Sequence, residues 1–263
     1  MGEPQLSARL QGFLDPTPCV HAAQLYHDDP FLGEAVVEFL AAGLRSGEGA
    51  VMIATLPRWQ AAIRRLEQRD IETQPAIQSG RLRYFGAQMI LSQCMASGTP
   101  DSARFAHSVG TMLGLVRRSY PQLRVFTDLA DYLWSQKSRE AALALENCWN
   151  ELIRKQPISL LCACPLDCLD GAAYDDGTFQ RVCAAHTHVA PSRNSGWLDD
   201  AVMQAANELL EPQLAYMLQA MSETQRPATH MPPGQATLLW LKENMPRTAE
   251  KVLARVRERA GLA

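Results

Sequence analysis

Two groups of residues have the types and spacing from which chemistry is built. The first is Cys162-x-Cys164-x3-Cys168, followed by Cys183-x2-His186-x-His188. Thiolates and imidazoles of this kind can make a tetrahedral zinc site. The paired short knuckles of structural zinc are missing, however, and Cys162 falls inside an apolar strand while Cys183 falls on the apolar face of a helix. Buried free cysteine behaves mainly as a small apolar residue, so no metal is assigned. The second group is charged. Thr55, Leu56, Pro57 and Arg58 join the apolar run "AVMIAT" to an amphipathic helix, and Asp128 follows "LRVF" closely, with Asp131 three residues on.

A strand-to-helix turn such as Thr55–Arg58 is where many nucleotide-binding α/β proteins hold a phosphate. The loop that does so needs glycines that let backbone amides approach the anion, a Lys for the β and γ phosphates, and a Ser or Thr for magnesium. Leu56, Pro57 and Arg58 bring neither the glycines nor the lysine, and Pro57 removes an amide donor. No Gly-x-Gly-x-x-Gly follows an expected strand. The helix dipole still favours an anion at this turn, and Arg58 is a partner for one. Neither Gly-x-Ser-x-Gly nor His-Glu-x-x-His is present, so no catalytic residue is assigned and no enzymatic activity is expected.

In an open parallel sheet the ligand crevice lies beyond the carboxyl ends of the strands. Thr55, Leu56, Asp128, Asp131, Pro165 and Asp167 are expected there. Asp128 either faces that crevice or caps the turn at "DLADYLW". His21 and Tyr26, ahead of the first helix, either contribute to a pocket or anchor the N-terminal segment. The expected ligand-binding set is therefore His21, Tyr26, Thr55, Arg58, Asp128 and Asp131, with no cofactor.

The elements that must position these residues alternate. "DDPFLGEAVVEFLAAGLRSGEG" reads as a helix capped by Asp28 or Asp29, with Pro30 in its first turn. "AVMIAT" is a strand of the kind covered on both faces, and "PRWQAAIRRLEQRDI" returns to a period near 3.6 with Trp59, Ile63 and Leu66 on one side. "GRLRYFGA" reads as a strand, "AQMILSQCMASG" as a helix, and "DSARFAHSVGTMLGLVRRSY" as one longer helix capped by Asp101 or Ser102. "LRVF" is a strand, "SREAALALENCWNELIRKQ" a helix with Ala142, Leu145, Cys148 or Trp149 and Leu152 inward, "ISLLCACPL" a strand, and "DDGTFQRVCAAHTHV" a last helix. Trp134 and Trp149 read as core. This alternation predicts an α/β fold with a mainly parallel sheet flanked by helices.

From about Pro191 the pattern changes to helices without strands, which predicts a C-terminal helical extension. Pro212 should break the first of these helices and Pro246 should begin the last. Their apolar positions include Leu198, Val202, Leu209, Leu210, Leu214 and Met217, then Leu238, Leu239, Leu241, Val252 and Val256. They either pack inward or support a homodimer, while Arg247, Lys251, Arg255, Arg257 and Arg259 form a basic face.

The 263 residues are 47% hydrophobic and 20% charged, with a formal net charge of −3. That balance gives no reason to expect a general nucleic-acid or anionic-membrane binder. No apolar run approaches the roughly 20 residues of a membrane span, and the N-terminus lacks a basic region followed by an apolar signal core. Seven cysteines, an odd number lying mostly in apolar segments, fit a reducing compartment. A cytoplasmic protein is expected.

Several segments, in order, resemble the MEDS (methanogen/methylotroph DcmR sensory) family. The likeness runs from "HAAQLYHDDPFLGEAVVEFLAAGLRSGEGAVMIAT", with His21 and Tyr26 in a His-x4-Tyr pattern, through "GRLRYFGAQMIL", "PDSARF", "LENCWNEL" and "ISLLCACPL" to "VCAAHTHVAP". It divides the chain into an N-terminal extension (1–16), a sensory domain (17–192) and the helical extension (193–263). The resemblance implies a fold related to the RecA and KaiC ATPases but without the catalytic loop, a signalling role, and a small organic ligand or a regulatory protein as partner. It also implies the alternatives of a transcription regulator of the DcmR type, with "GQATLLWLKENMPRTAEKVLARVRERA" as its DNA-binding helices, or of an ATPase with an atypical phosphate loop. The sequence departs from the family at Thr127-Asp128-Leu129, where Gly-Glu-Met is common, at Cys164 in place of Tyr, and near Arg193, where an acidic residue is frequent.

Overall fold

The computed structural model describes residues 20–26, 28–166, 177–190, 195–222 and 231–261. Cys19, Asp167, Cys168, Arg193, the 1–16 extension and most of the expected linker at 191–196 lie outside the described residues. The chain divides into two compact units, residues 1–165 and 166–263.

The first unit is built on five strands: β1 (His21–Leu25), β2 (Gly49–Ala54), β3 (Leu82–Gly86), β4 (Leu123–Thr127) and β5 (Ser159–Cys164). They run in the order β3-β2-β4-β5-β1, and every pair is parallel, with Ala50 opposite Leu82, Gly49 opposite Leu123, Arg124 opposite Ser159 and His21 opposite Leu160. Side chains of parallel strands alternate between faces. On one face Ala50, Met52, Phe126, Leu161 and Ala163 meet Leu32, Val36 and Leu40 of α1 (Asp29–Arg45) and Ala62 and Leu66 of α2 (Leu56–Glu67). Trp59 and Ile63 join that cluster only half-buried.

The local signals explain most of these elements. Asp28 caps α1 by accepting from the Phe31 amide at 2.8 Å, and Pro30 occupies the first turn. Short α3 (Thr73–Gln78) leads into β3, and α4 (Ala87–Cys94) follows it. A two-residue hairpin, Met95–Ala96 with Thr99–Pro100, then precedes α5 (Ser102–Phe105), which Asp101 caps through the Arg104 amide at 2.8 Å. The single helix expected over "DSARFAHSVGTMLGLVRRSY" is instead interrupted. A π turn, Ala106–Gly110, separates α5 from α6 (Thr111–Ser119). There the Gln156 amide donates to the Gly110 carbonyl at 2.9 Å, the kind of side-chain insertion into the ladder that accompanies helix irregularity.

After β4 come α7 (Leu129–Ser135) and α8 (Arg139–Ile153). All four inward positions expected of α8 are buried; Trp149 is fully so, with Phe105 edge-on to its ring at 4.8 Å. Trp134 is only half-buried and carries the Arg139 guanidinium over its ring. Sequence reading passed over one buried charge pair. Arg124 on β4 donates to both carboxylate oxygens of Glu48, at 2.8 and 3.1 Å, beneath the ring of Phe39.

The second unit begins with α9 (Thr178–Ala185). The "HTHV" segment expected to end this helix leaves it at His186, and His188–Ala190 form strand β6, in keeping with its β-branched residues. Helices α10 (Ser195–Leu209), α11 (Pro212–Ser222), α12 (Pro233–Asn244) and α13 (Pro246–Arg259) follow, with Pro212 and Pro246 at the breaks expected of them. Helix α12 packs against α10, α11 and α13 and is buried over Gly234–Leu239 and at Leu241. Leu198, Val202, Val252 and Val256 are core, whereas Leu209, Met217 and Tyr216 are exposed. Among the described residues no helix is long and apolar enough to cross a membrane.

Candidate functional site

Strand order locates the crevice. From β2 the chain passes through α2 and α3 outward to β3, whereas from β4 it passes through α7 and α8 to β5 on the other side. The carboxyl ends of neighbouring β2 and β4 therefore form the switch point where α/β sheets bind ligands. Thr55 follows the first and Asp128 the second. The Asp128 amide donates to Ile53 O at 3.1 Å, which holds the two ends together.

Into this crevice the first turn of α2 sends Arg58. Its Nη1 donates to Asp128 Oδ2 at 3.0 Å and to Asp131 Oδ2 at 2.6 Å, while Nη2 reaches Asp29 Oδ1 at 2.8 Å and the Tyr26 hydroxyl at 3.4 Å. Thr55 donates to Asp128 Oδ2 from its amide at 3.0 Å and from its hydroxyl at 3.3 Å. Five of the six residues singled out from sequence thus share one network, joined by Asp29. Asp29 resembled a helix cap in the sequence, and only its place beside Arg58 reveals its part here.

Asp128 occupies the cap position of α7, but its carboxylate makes no capping bond; Thr127 Oγ1 accepts from the Leu129 amide instead. Asp128 is wholly buried, and its Oδ1 has no hydrogen-bond partner among the described residues. Burial raises its carboxyl above the ordinary carboxylate range, against the lowering pull of Arg58 and the Thr55 amide. Burial and then Asp131 likewise raise the Tyr26 hydroxyl. For Arg58 burial acts to lower the pKa, but Asp131 and Asp128 outweigh it, so the guanidinium stays charged.

His21 is not in this network. It opens β1 while Tyr26 follows the same strand, so five residue steps, roughly 16 Å, separate them. Its Nδ1 pairs with Asn150 Oδ1 at 2.9 Å, and its Nε2 lies 3.1 Å from Glu146 Oε2 and 3.3 Å from Cys162 Sγ. His21, Glu146 and Cys162 are residue types that can ligate a metal, and their ligand atoms lie within 4.8 Å of one another. Burial, followed by the Glu146 charge, raises the Cys162 thiol well above its usual pKa. Within the first unit, Cys162 of the expected Cys/His group sits with His21 and Glu146. His186 Nδ1 donates to Val182 O at 2.7 Å, His188 pairs with Thr187, and Cys164 and Cys183 are buried in β5 and α9.

Because β1 precedes α1, Thr55–Arg58 is the second strand-to-helix connection of the chain. The sequence between β1 and α1, residues 26–28, has no glycine or lysine either. In the second unit, Arg255 and Arg259 of the expected basic face pair with Glu208 of α10.

The structure thus defines a parallel α/β domain with a charged crevice at its switch point. The family model described as the methanogen/methylotroph, DcmR sensory domain, MEDS, matches residues 20–187. That is more than half of the chain, and the chain belongs to this family. It carries a sensory domain, which points to a sensory or regulatory role. No curated protein matches the chain.

Proposed function

We propose that this protein is a non-catalytic sensory regulator whose ATPase-like scaffold has exchanged nucleotide chemistry for recognition at the β2–β4 crevice. The observation that carries this reading is the Arg58 bridge to Asp128 and Asp131. In that position the side chain takes the place of a phosphate-binding lysine and of a cation on the strand-end carboxylate. The cluster of Asp29, Asp128 and Asp131 around Arg58 leaves an excess of negative charge, which opposes a polyphosphate. The unpartnered Asp128 Oδ1 calls for a donor. The ligand class is therefore a small neutral or cationic molecule, or a partner side chain, bearing an N–H or O–H. The C-terminal helices would report occupancy through self-association or docking, which requires that the ligand bind two conformations unequally.

Thermal melting with ATP or GTP and magnesium, alongside amines, alcohols and amides, tests this reading. Nucleotides should give neither a rise in Tm nor phosphate release, and any hit among the donor-bearing compounds should be lost in Asp128→Asn but kept in His21→Asn. A nucleotide-dependent rise in Tm accompanied by phosphate release would overturn the proposal.

A further inference from the structure

A second recess lies at the sheet edge, within the first unit. Strand β3 ends the strand order, and beside it the π turn and α6 border an open recess of about 860 Å³ lined by Arg83, Phe85, Arg104, His107, Met112 and Leu115 among others. Among the described residues no carboxylate lines it. By contrast, Arg58, Arg65, Arg69 and Arg124 of the same unit each meet a carboxylate. The Arg83 and Arg104 side chains bond only to main-chain carbonyls, of Gly80 and Met95, each at 3.1 Å. The rest of the lining mixes apolar Ala103 and Val116 with polar Gln93, Ser108 and Thr111, and Leu115 is 55% exposed. The π turn carries His107 and Ser108 to the rim, where Ser108 donates to Gln93 at 2.6 Å. A π turn inside a helix is frequently found at functional sites.

We propose that this recess binds a small organic anion with an apolar body, its acidic head between Arg83 and Arg104 and its tail on Phe85, Met112 and Leu115. Both halves follow from the lining. Two unneutralised guanidiniums favour a carboxylate or phosphate ester through charge-assisted hydrogen bonds, and the apolar residues of the lining favour a chain or ring that leaves water. The volume lies in the range of ordinary small-molecule sites. The preference is opposite in charge to that of the β2–β4 crevice, and the two sites share no residue.

Isothermal titration calorimetry of the full chain tests the proposal with octanoate and octyl phosphate, and with octanol and inorganic phosphate as the separate halves. Octanoate, octyl phosphate or both should bind saturably, and the preferred head group identifies the ligand source; each half alone should bind at least about tenfold more weakly. Arg83→Gln with Arg104→Gln should lower the affinity at least about tenfold, with the ligand-free Tm unchanged because both side chains bond only to main chain. Leu115→Asp should abolish binding of the octyl compounds, while Asp128→Asn should leave it intact. Saturable binding that survives the double arginine substitution, or no binding of either amphiphile, would overturn the proposal. Loss of nucleotide discrimination at the crevice would not affect it.

Discussion

Replacing Arg58 by Met keeps most of the apolar stem and removes the charge, so it isolates what the guanidinium does for Asp128. At 3.0 and 2.6 Å from Asp128 and Asp131, each contact represents roughly 5–6 kcal/mol of gross attraction at an effective dielectric of about 20. Much of this is offset by desolvation. What the variant exposes is the opposite imbalance, a wholly buried Asp128 with its cation gone, and removal of one partner of a buried pair costs about 3 kcal/mol. Asp131 reaches water and recovers more easily. The loss must depend on pH. Burial already raises the folded-state pKa of Asp128 above its unfolded value, so the native state holds the proton more tightly and stability falls as pH rises through that raised pKa. Without Arg58 the pKa rises further. Urea unfolding should therefore show a deficit of about 3 kcal/mol at a pH above the raised pKa of Asp128 and a smaller one at a pH below it, where Asp128 is protonated. Adding Asp128→Asn should remove the pH dependence and recover part of the stability. A deficit that is the same at both pH values, or is absent, would refute the electrostatic account of the crevice.

Three further outcomes follow from other parts of the molecule. Trp149→Ala should lower stability by about 3–5 kcal/mol, read as a lower urea midpoint, because a fully buried ring packed edge-on to Phe105 leaves a cavity. Glu48→Gln should cost about 3 kcal/mol by leaving Arg124 buried without its carboxylate, and Glu48→Leu combined with Arg124→Met should recover most of it by the same measurement. In a Cys19→Ser, Cys168→Ser background the five remaining cysteines, all buried, should resist a thiol reagent at about pH 8 in the native state and react after denaturation; burial pushes the Cys94 thiol up to about 11. Rapid native labelling would contradict that burial.

The sequence was most legible where one segment carries its own signal. Strand β2 is an unbroken apolar run because both its faces are covered, and the caps at Asp28 and Asp101 and the breaks at Pro212 and Pro246 need only local chemistry. Strand β1 was missed. "HAAQL" has no β-branched residue and holds two polar side chains, and its burial depends on β5 and α8. The strand-end rule selected Thr55, Asp128 and Asp131 correctly as neighbours, but Arg58 bridges them only because β2 lies beside β4, an arrangement that no local pattern encodes. His21 was grouped with Tyr26 by proximity in sequence, although a strand carries them to opposite ends. The edge recess had no signature, since Arg83, Arg104 and Leu115 belong to three elements and each alone resembles ordinary surface.

The pairing of β1 with β5 also bears on synthesis. His21 meets Leu160, and the side chains around His21 come from Glu146, Asn150 and Cys162. A strand made before every other strand of the unit therefore waits for nearly the whole first unit to emerge before it finds its neighbour. Contacts this distant along the chain slow folding, and until they form, the unpaired strand leaves backbone groups open to wrong partners. Chains released before β5 is complete should therefore lack a closed sheet and depend on chaperones, even though every residue of β2 and its turn to α2 has already been made.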